Sequence, residues 1–553
     1  MQKADFAVLI TYFVTMILVG LAYSRRVKSL NMYFAGGKQL SWWLGGVSFV
    51  MASVSTFSIV VYAALGYQYG LVALTLYWTM VPATLLVTWI FAKRWRRTGI
   101  LTPTEFLERR FSPAIRQLFV WSALPLKIFD DALKIVAIGI FVAAGLKISP
   151  VGACIAVGLV TVFYTMLGGL WAVVITDFVQ FVLVATGVVL LAPLTLRAAG
   201  GWRHVIAVLP PEFFHLVHAP YTWGYVGSFL LLTMLSAAGN WSLVQRFYSA
   251  RNDRESRGIG WTAAVLFFLL PPLWILTGIW ARAFIAPAGF DAQSIYARVS
   301  ADLLPPGMFG LMISALFAAA MSVISSSLNV VAAVLTVDVH QRLIHPHATQ
   351  RELVFVGRGL TAVIGVLALA IALLVIHLHW NMFDAMVLAF GFFLPPTVLP
   401  VIAGLLSKRL SAAGALAGFL TGIGVGLIFL LYRSISGVAE AGKVQGASLV
   451  AATLVSAFVL FLAGWLYPVQ GEAADRSARF FEQLKRLAPP SEAVDDPAPI
   501  AGLVIGVMGV VLFLLGVGVL AESNRLTAGT GLGLSAIGLA MRWKTFRLRK
   551  SVS

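Results

Sequence analysis

Charge is what this sequence has least of. Only 11% of its 553 residues are Asp, Glu, Lys or Arg, while 60% are hydrophobic, and a soluble chain of this length would carry far more charge on its surface. Cysteine is nearly missing. The single Cys154 falls in an apolar stretch, which excludes a disulfide framework and a Cys-based metal site. Long polar stretches are missing too: the longest, about 470–499, is too short for a soluble domain of useful size. Acidic residues are scarcer than basic ones, 22 against 40. The basic residues are spread along the chain instead of gathering on one domain, which argues against nucleic-acid binding. No clustered nucleophile and base and no metal-ligand set falls in the apolar stretches, so an enzyme is not expected.

What is present is a succession of apolar runs, such as Phe6–Ser24, Leu71–Ala92, Ile259–Trp280, Leu360–Ile376 and Ile500–Ala521, with a mean hydropathy of +0.91. About 20 such residues cross the hydrocarbon of a bilayer as a helix. The pattern predicts an all-α polytopic membrane protein of about fifteen helices, centred near residues 15, 52, 82, 132, 158, 183, 236, 270, 322, 368, 394, 421, 457, 511 and 534. The last of these, Thr527–Met541, reads as short. If the first loop is cytoplasmic, 29 of the 40 Lys and Arg fall in cytoplasmic segments, against 9 in external segments and 2 inside a span. That bias predicts an N-terminus outside and a C-terminus in the cytoplasm of the cell inner (plasma) membrane. Arg25-Arg26 directly follows the first apolar run as a stop-transfer flank, with no small-residue cleavage site, so a cleaved signal peptide is not expected.

Residues 1–470 read as a thirteen-helix body, 471–499 as a charged cytoplasmic linker, and 500–553 as a two-helix extension with a basic tail. The external segments Trp202–Pro220 and Ile285–Pro306 read as short interfacial helices, and Thr102–Arg110 as a short cytoplasmic one. Two spans look broken: Ser48–Ser58 is a run of small and hydroxyl residues at mid-membrane, and Leu235–Ser242 passes through Gly239-Asn240. They stand five helices apart, an odd spacing that inverts topology. That points to inverted repeats, about 41–197 and 224–406, with a binding site between broken helices. Simple packing of Ser and Gly is the competing reading.

Four stretches together resemble the sodium/solute symporter family. These are Tyr33-Phe34-Ala35-Gly36-Gly37 followed by Trp42-Trp43; Tyr164–Gln180 with its Gly168-Gly169 and Asp177; Asn240 with Gln245-Arg246; and Ala318–Asn329 leading into Thr336-Val337-Asp338. The resemblance covers roughly residues 5–470. It implies a five-plus-five inverted-repeat (LeuT-like) transporter bundle, alternating access, and Na+ as coupling ion. The implied partners are a small-molecule substrate and membrane lipid, with no obligate protein partner evident.

Carried over by matching motifs, the resemblance places a first sodium site at the carbonyls of Met51, Val54 and Ala319 and the hydroxyl of Ser322. The second hydroxyl usual in the family is replaced by Val323. A possible second cation site, as in similar sialic-acid transporters, would use Asp177, Ser325 and Ser326 together with Ser322; the other reading of Asp177 is a structural cap or pair. Positions matched to sugar contacts are Ser53, Ser58, Tyr77 and Met80, and with the family's acidic and amide sugar ligands absent, a sugar is not expected. Ser55, Asn240, Trp241 and Asp131 complete the expected substrate-binding set.

The fourth span carries Lys127, Asp130, Asp131 and Lys134, whose spacing predicts the pairs Lys127–Asp131 and Asp130–Lys134. Four charges in one span either line a cavity for a charged or zwitterionic solute or neutralise one another structurally. The expected function is therefore sodium-coupled symport of a small carboxylate, amino acid or other zwitterion. Proton coupling through Asp177, or a transporter-like membrane sensor, are the alternatives. His340, His345 and His347 share one loop, but their loose spacing argues against a metal site.

Overall fold

A computed structural model describes residues 2–24, 38–100, 102–146, 148–167, 170–286, 291–436, 441–486, 498–517 and 524–550. The Tyr33–Gly37 stretch and Gly168-Gly169 lie outside the described residues. The described chain is helical, with two isolated bridges, Leu40 with Ala250 and His218 with Tyr221. The elements that build the site are α1 (Lys3–Ser24), α2 (Trp42–Met51), α3 (Thr56–Tyr69), α4 (Glu105–Arg110), α5 (Pro113–Leu146), α6 (Leu170–Ala198), α7 (Trp223–Gly239) and α8 (Trp241–Tyr248). They continue with α9 (Met308–Val334), α10 (Gln350–His377), α11 (Met382–Leu406), α12 (Gly471–Lys485), α13 (Ala498–Gly516) and α14 (Arg525–Lys550). Every predicted span centre falls within a helix except 52 and 270, which fall at bends between two helical halves. Among the described residues, eight helices are long and apolar enough to cross a membrane, or ten if each bent pair is one span.

The bent pairs are the two predicted breaks. α2 meets α3 at 62°, and α7 meets α8 at 51°. At the first break Ser55 is extended and makes no side-chain cap. At the second, the Asn240 side chain accepts from Ser242 N at 3.0 Å and starts α8. A break leaves helix-end amides and carbonyls without ladder partners, so polar backbone opens inside the bundle at both points.

α9 runs through the centre and is wholly buried. Its N-terminus is capped from another helix: Asp5 of α1 accepts from Gly307 N at 2.8 Å and Gly310 N at 2.9 Å. Close approach of backbones tightens the centre. At Gly278 a Cβ would stand 2.0 Å from the Ala63 carbonyl of α3, so no larger residue fits there.

The C-terminal third differs from expectation in two ways. The last helix is α14, which extends from Arg525 to Lys550, well past the predicted Thr527–Met541. Its glycines interlock with α13: a Cβ at Gly531 would meet Phe513 N at 2.2 Å. The expected linker is partly helix. α12 lies along the basic side of the bundle, where Phe480 packs on Phe106 at 5.4 Å and Gln483 donates to Thr98 O at 2.7 Å. Its apolar face is what 15 residues of mixed charge conceal in a composition profile. The short helices expected near 202–220, 285–306 and 102–110 appear as Gly201–Val208, Ile295–Leu303 and α4.

Candidate functional site

The break between α2 and α3 faces the middle of α9. There the Ser322 hydroxyl lies 3.4 Å from the Met51 carbonyl and also hydrogen-bonds Asp177 of α6. Val54 and Ala319 are buried in the same region. A hydroxyl carries one proton. A cation taken up by the Met51 carbonyl and the Ser322 oxygen would leave that proton to Asp177.

The remaining second-site residues are arranged around a side chain of α8. Arg246 is fully buried, and its guanidinium donates to Ser326 Oγ at 3.0 Å, Ser48 Oγ at 3.1 Å and Ser242 O at 2.9 Å. It lies 3.3 Å from Asp177, which also accepts from Ser48 Oγ at 2.5 Å. Ser325 turns back to its own helix, donating to Ser322 O at 3.2 Å. A protein cation thus stands among the residues expected to hold a second ion. Sequence reading singled out Arg246 as a motif residue without seeing its role. The signal was there: an Arg six residues past the Asn240 break, on a helix too short to carry it to a membrane surface.

Beside this cluster lies a cavity of about 120 Å³. Ser53, Ser55, Ser58, Tyr77, Met80 and Asn240 all line it, and so does Val323. Trp241 lines an adjoining pocket of about 50 Å³ on the basic side, with Lys127, Asp130 and Asn240. Asp131 is the exception: it lines neither cavity and is wholly buried, with Lys134 Nζ 3.7 Å away. The acid at the cavity is Asp130, one residue earlier, whose carboxylate pairs with Lys134 at 2.6 Å. One residue is 100° of helix, enough to exchange a cavity wall for a core. The predicted Asp130–Lys134 pair therefore forms. The predicted Lys127–Asp131 pair does not: Lys127 Nζ reaches across to Asn240 Oδ1 at 3.2 Å.

On the far side an aromatic layer closes the cavity. Tyr62 meets Tyr77 edge-on at 4.8 Å and Phe383 at 6.0 Å, and Phe383 stacks on Phe229 at 5.9 Å. Beyond it opens a cavity of about 820 Å³, lined among others by Gln68, Tyr221, Asp291 and Asp384. The basic side is shut by ion pairs. Arg116 binds Asp338 and, at 2.7 Å, Glu108, and Arg342 also holds Glu108. Arg110 donates to the carbonyls of Gly404, Ser407, Lys408 and Leu410. Burial pushes the Arg110 guanidinium down to about 10, which still leaves it charged at neutral pH. Burial alone would raise the Glu108 carboxyl, but the hydrogen bonds from Arg342 and Arg116 outweigh it and hold the group below its usual value of 4.5.

A family model described as the sodium:solute symporter family matches residues 33–422. Among curated relatives, sodium/glucose cotransporter 4 of Danio rerio is 26% identical over 494 residues, covering 80% of this chain and 74% of its own length. A sodium/sialic acid symporter of Aliivibrio fischeri is 25% identical over 435 residues, covering 76% of this chain and 86% of its own. A substrate-bound, outward-open structure of a Na+-coupled sialic acid symporter superposes with a TM-score of 0.74 at 23% identity, covering 85% of this chain and 99% of that one. At that identity the likeness concerns the fold, a five-plus-five inverted-repeat transporter bundle with two broken helices, as found here. On the match of its central 390 residues, this chain belongs to the sodium:solute symporter family.

Proposed function

We propose that the protein is a secondary active transporter that carries a small zwitterionic or carboxylate solute, an amino acid among them, together with sodium. The observation that carries this reading is the Asp130–Lys134 pair at the wall of a cavity beside both helix breaks. An opposite-charge pair is costly in a membrane interior unless something uses it, and it offers one group to each end of a zwitterion. Lys127 on Asn240 adds a second donor at the boundary of the two pockets. The family includes relatives named for glucose, myo-inositol and sialic acid, so membership alone does not choose the solute.

Sodium is assigned to the carbonyls of Met51, Val54 and Ala319 with the Ser322 hydroxyl. A hard monovalent cation suits neutral backbone and hydroxyl oxygens. At the second cluster Arg246 already supplies the positive charge, so an ion on Asp177, Ser325 and Ser326 would bind only by displacing it. The basic side is assigned to the cytoplasm of the plasma membrane, which makes the 820 Å³ cavity an external vestibule. In this arrangement the aromatic layer is the outer gate and the Arg116–Asp338 network the inner one, and alternating access exchanges which of them is closed.

The test is uptake into proteoliposomes of labelled amino acids, carboxylates and hexoses, under an imposed sodium or proton gradient. Sodium-driven accumulation of a zwitterion or carboxylate is expected, and hexose uptake alone would overturn the solute assignment. Proton coupling is a second reading, favoured by Val323 standing where the family usually has a hydroxyl ligand. Accumulation driven by a proton gradient without sodium would select it.

A further inference from the structure

The end of α9 does not stop as an ordinary helix. Leu335–Ile344 continues it in π-helical turns, and His345 N donates to His340 O at 2.8 Å across five residues. Such a turn stacks residues five apart on one face, where an α-helix would stack residues four apart. The two imidazoles are therefore neighbours, with ring centroids 6.4 Å apart. Glu352, in the first turn of α10, reaches both of them: its Oε1 lies 3.1 Å from His340 Nε2 and 2.7 Å from His345 Nδ1. The three candidate ligand atoms lie within 4.8 Å of one another. The loose spacing of three histidines read as one loop argues against a metal, but two of them stand on a π-helical turn and its end, beside an acid of the next helix.

We propose that His340, His345 and Glu352 form a binding site for one divalent transition-metal ion of the zinc type. Two imidazole nitrogens and a carboxylate oxygen are a borderline-soft set that favours zinc, nickel or copper over magnesium or calcium. Tetrahedral bonds of about 2.0–2.2 Å require ligand atoms about 3.3 Å apart. Two of the three separations are within about 0.6 Å of that value, and the third closes by side-chain rotation, which the exposure of His345 and the partial exposure of the other two permit. Glu352 is not consumed by the neighbouring arginine, since Arg342 points to Glu108. Three protein ligands leave a fourth position for water. When bound, it ties the end of α9, the helix that carries Ser322, to the start of α10.

The test uses full-length protein purified in detergent through a tag free of histidine and stripped of metal. Zinc chloride is titrated by calorimetry and cobalt chloride by visible absorption. Wild type is expected to take one ion per chain, with cobalt bands of tetrahedral intensity and a raised melting temperature on adding zinc. His345→Ala should weaken binding roughly tenfold or more, and His340→Ala with Glu352→Gln should abolish both the bands and the zinc-induced shift. The metal-free melting temperature of each variant shows whether it is folded. Absence of binding in wild type, or equal binding by the folded double variant, would overturn the site, whatever the transported solute.

Discussion

Ser322 touches both halves of the cation problem, the Met51 carbonyl in the α2–α3 break and the buried Asp177. A hydrogen bond to a charged group is worth about 1.5–3 kcal/mol. Ser322→Ala should therefore raise the sodium concentration for half-maximal uptake by roughly tenfold or more, measured as uptake against sodium at fixed solute. Val323→Ser should lower it, because a hydroxyl would join the shell from the same helix. Equal sodium dependence in wild type and Val323→Ser would remove Val323 from the account. Ser327 is a poor control for either variant, since burial of its hydroxyl places it in the core of α9. Arg246 and Asp177 behave as one unit. Arg246→Met or Asp177→Asn alone leaves an uncompensated buried charge or donor, at a cost of about 3–5 kcal/mol. The double variant should melt closer to wild type than either single one; if its melting temperature falls below both, the two residues are not a pair.

Among the elements, α9 depends on a cap it does not encode. Its own N-cap position is Gly307, which has no side chain to offer, and Asp5 of α1 fills that role. Asp5→Ala should cost about 0.5–2 kcal/mol, read as a lower melting temperature. Asp5→Asn should keep most of the stability, because Asn accepts from the same amides. Neither change should move the sodium dependence of uptake, since Asp5 lies at the opposite end of α9 from the π turn and makes no contact with Ser322. A shift in apparent sodium affinity with unchanged melting would assign Asp5 a part in transport.

At the scale of the whole molecule, the closed basic side is an electrostatic seal that joins α4, α5 and the end of α9. Glu108 is its partly buried hub, and its depressed carboxyl fixes the sign of the pH dependence. A carboxyl held below its unfolded value contributes stability that is whole above about 4.5 and is lost as pH falls through the lower folded value. Thermal melting of the purified protein should therefore decline on acidification through that window. Glu108→Gln should start lower at neutral pH and show a shallower decline. An identical acid slope in the two proteins would mean that another carboxylate carries it.

The sequence by itself determined the class of molecule and much of its path. Apolar run length is a local property, so the span centres and the two breaks follow from composition and order alone, while the family follows from the resemblance of four motifs. The residues proposed for the first cation site could be named from sequence because they belong to a local motif on each of two helices. What the tertiary structure decided is everything that depends on which face of a helix meets which neighbour. It placed Asp130 and not Asp131 at the cavity, sent Lys127 to Asn240, and brought Arg246 to Asp177 across 69 positions of chain. It also gathered His340, His345 and Glu352, because a π turn changes the periodicity by which faces are counted. One residue of helix turns a side chain by 100°, and a one-dimensional string does not record that angle until packing fixes it.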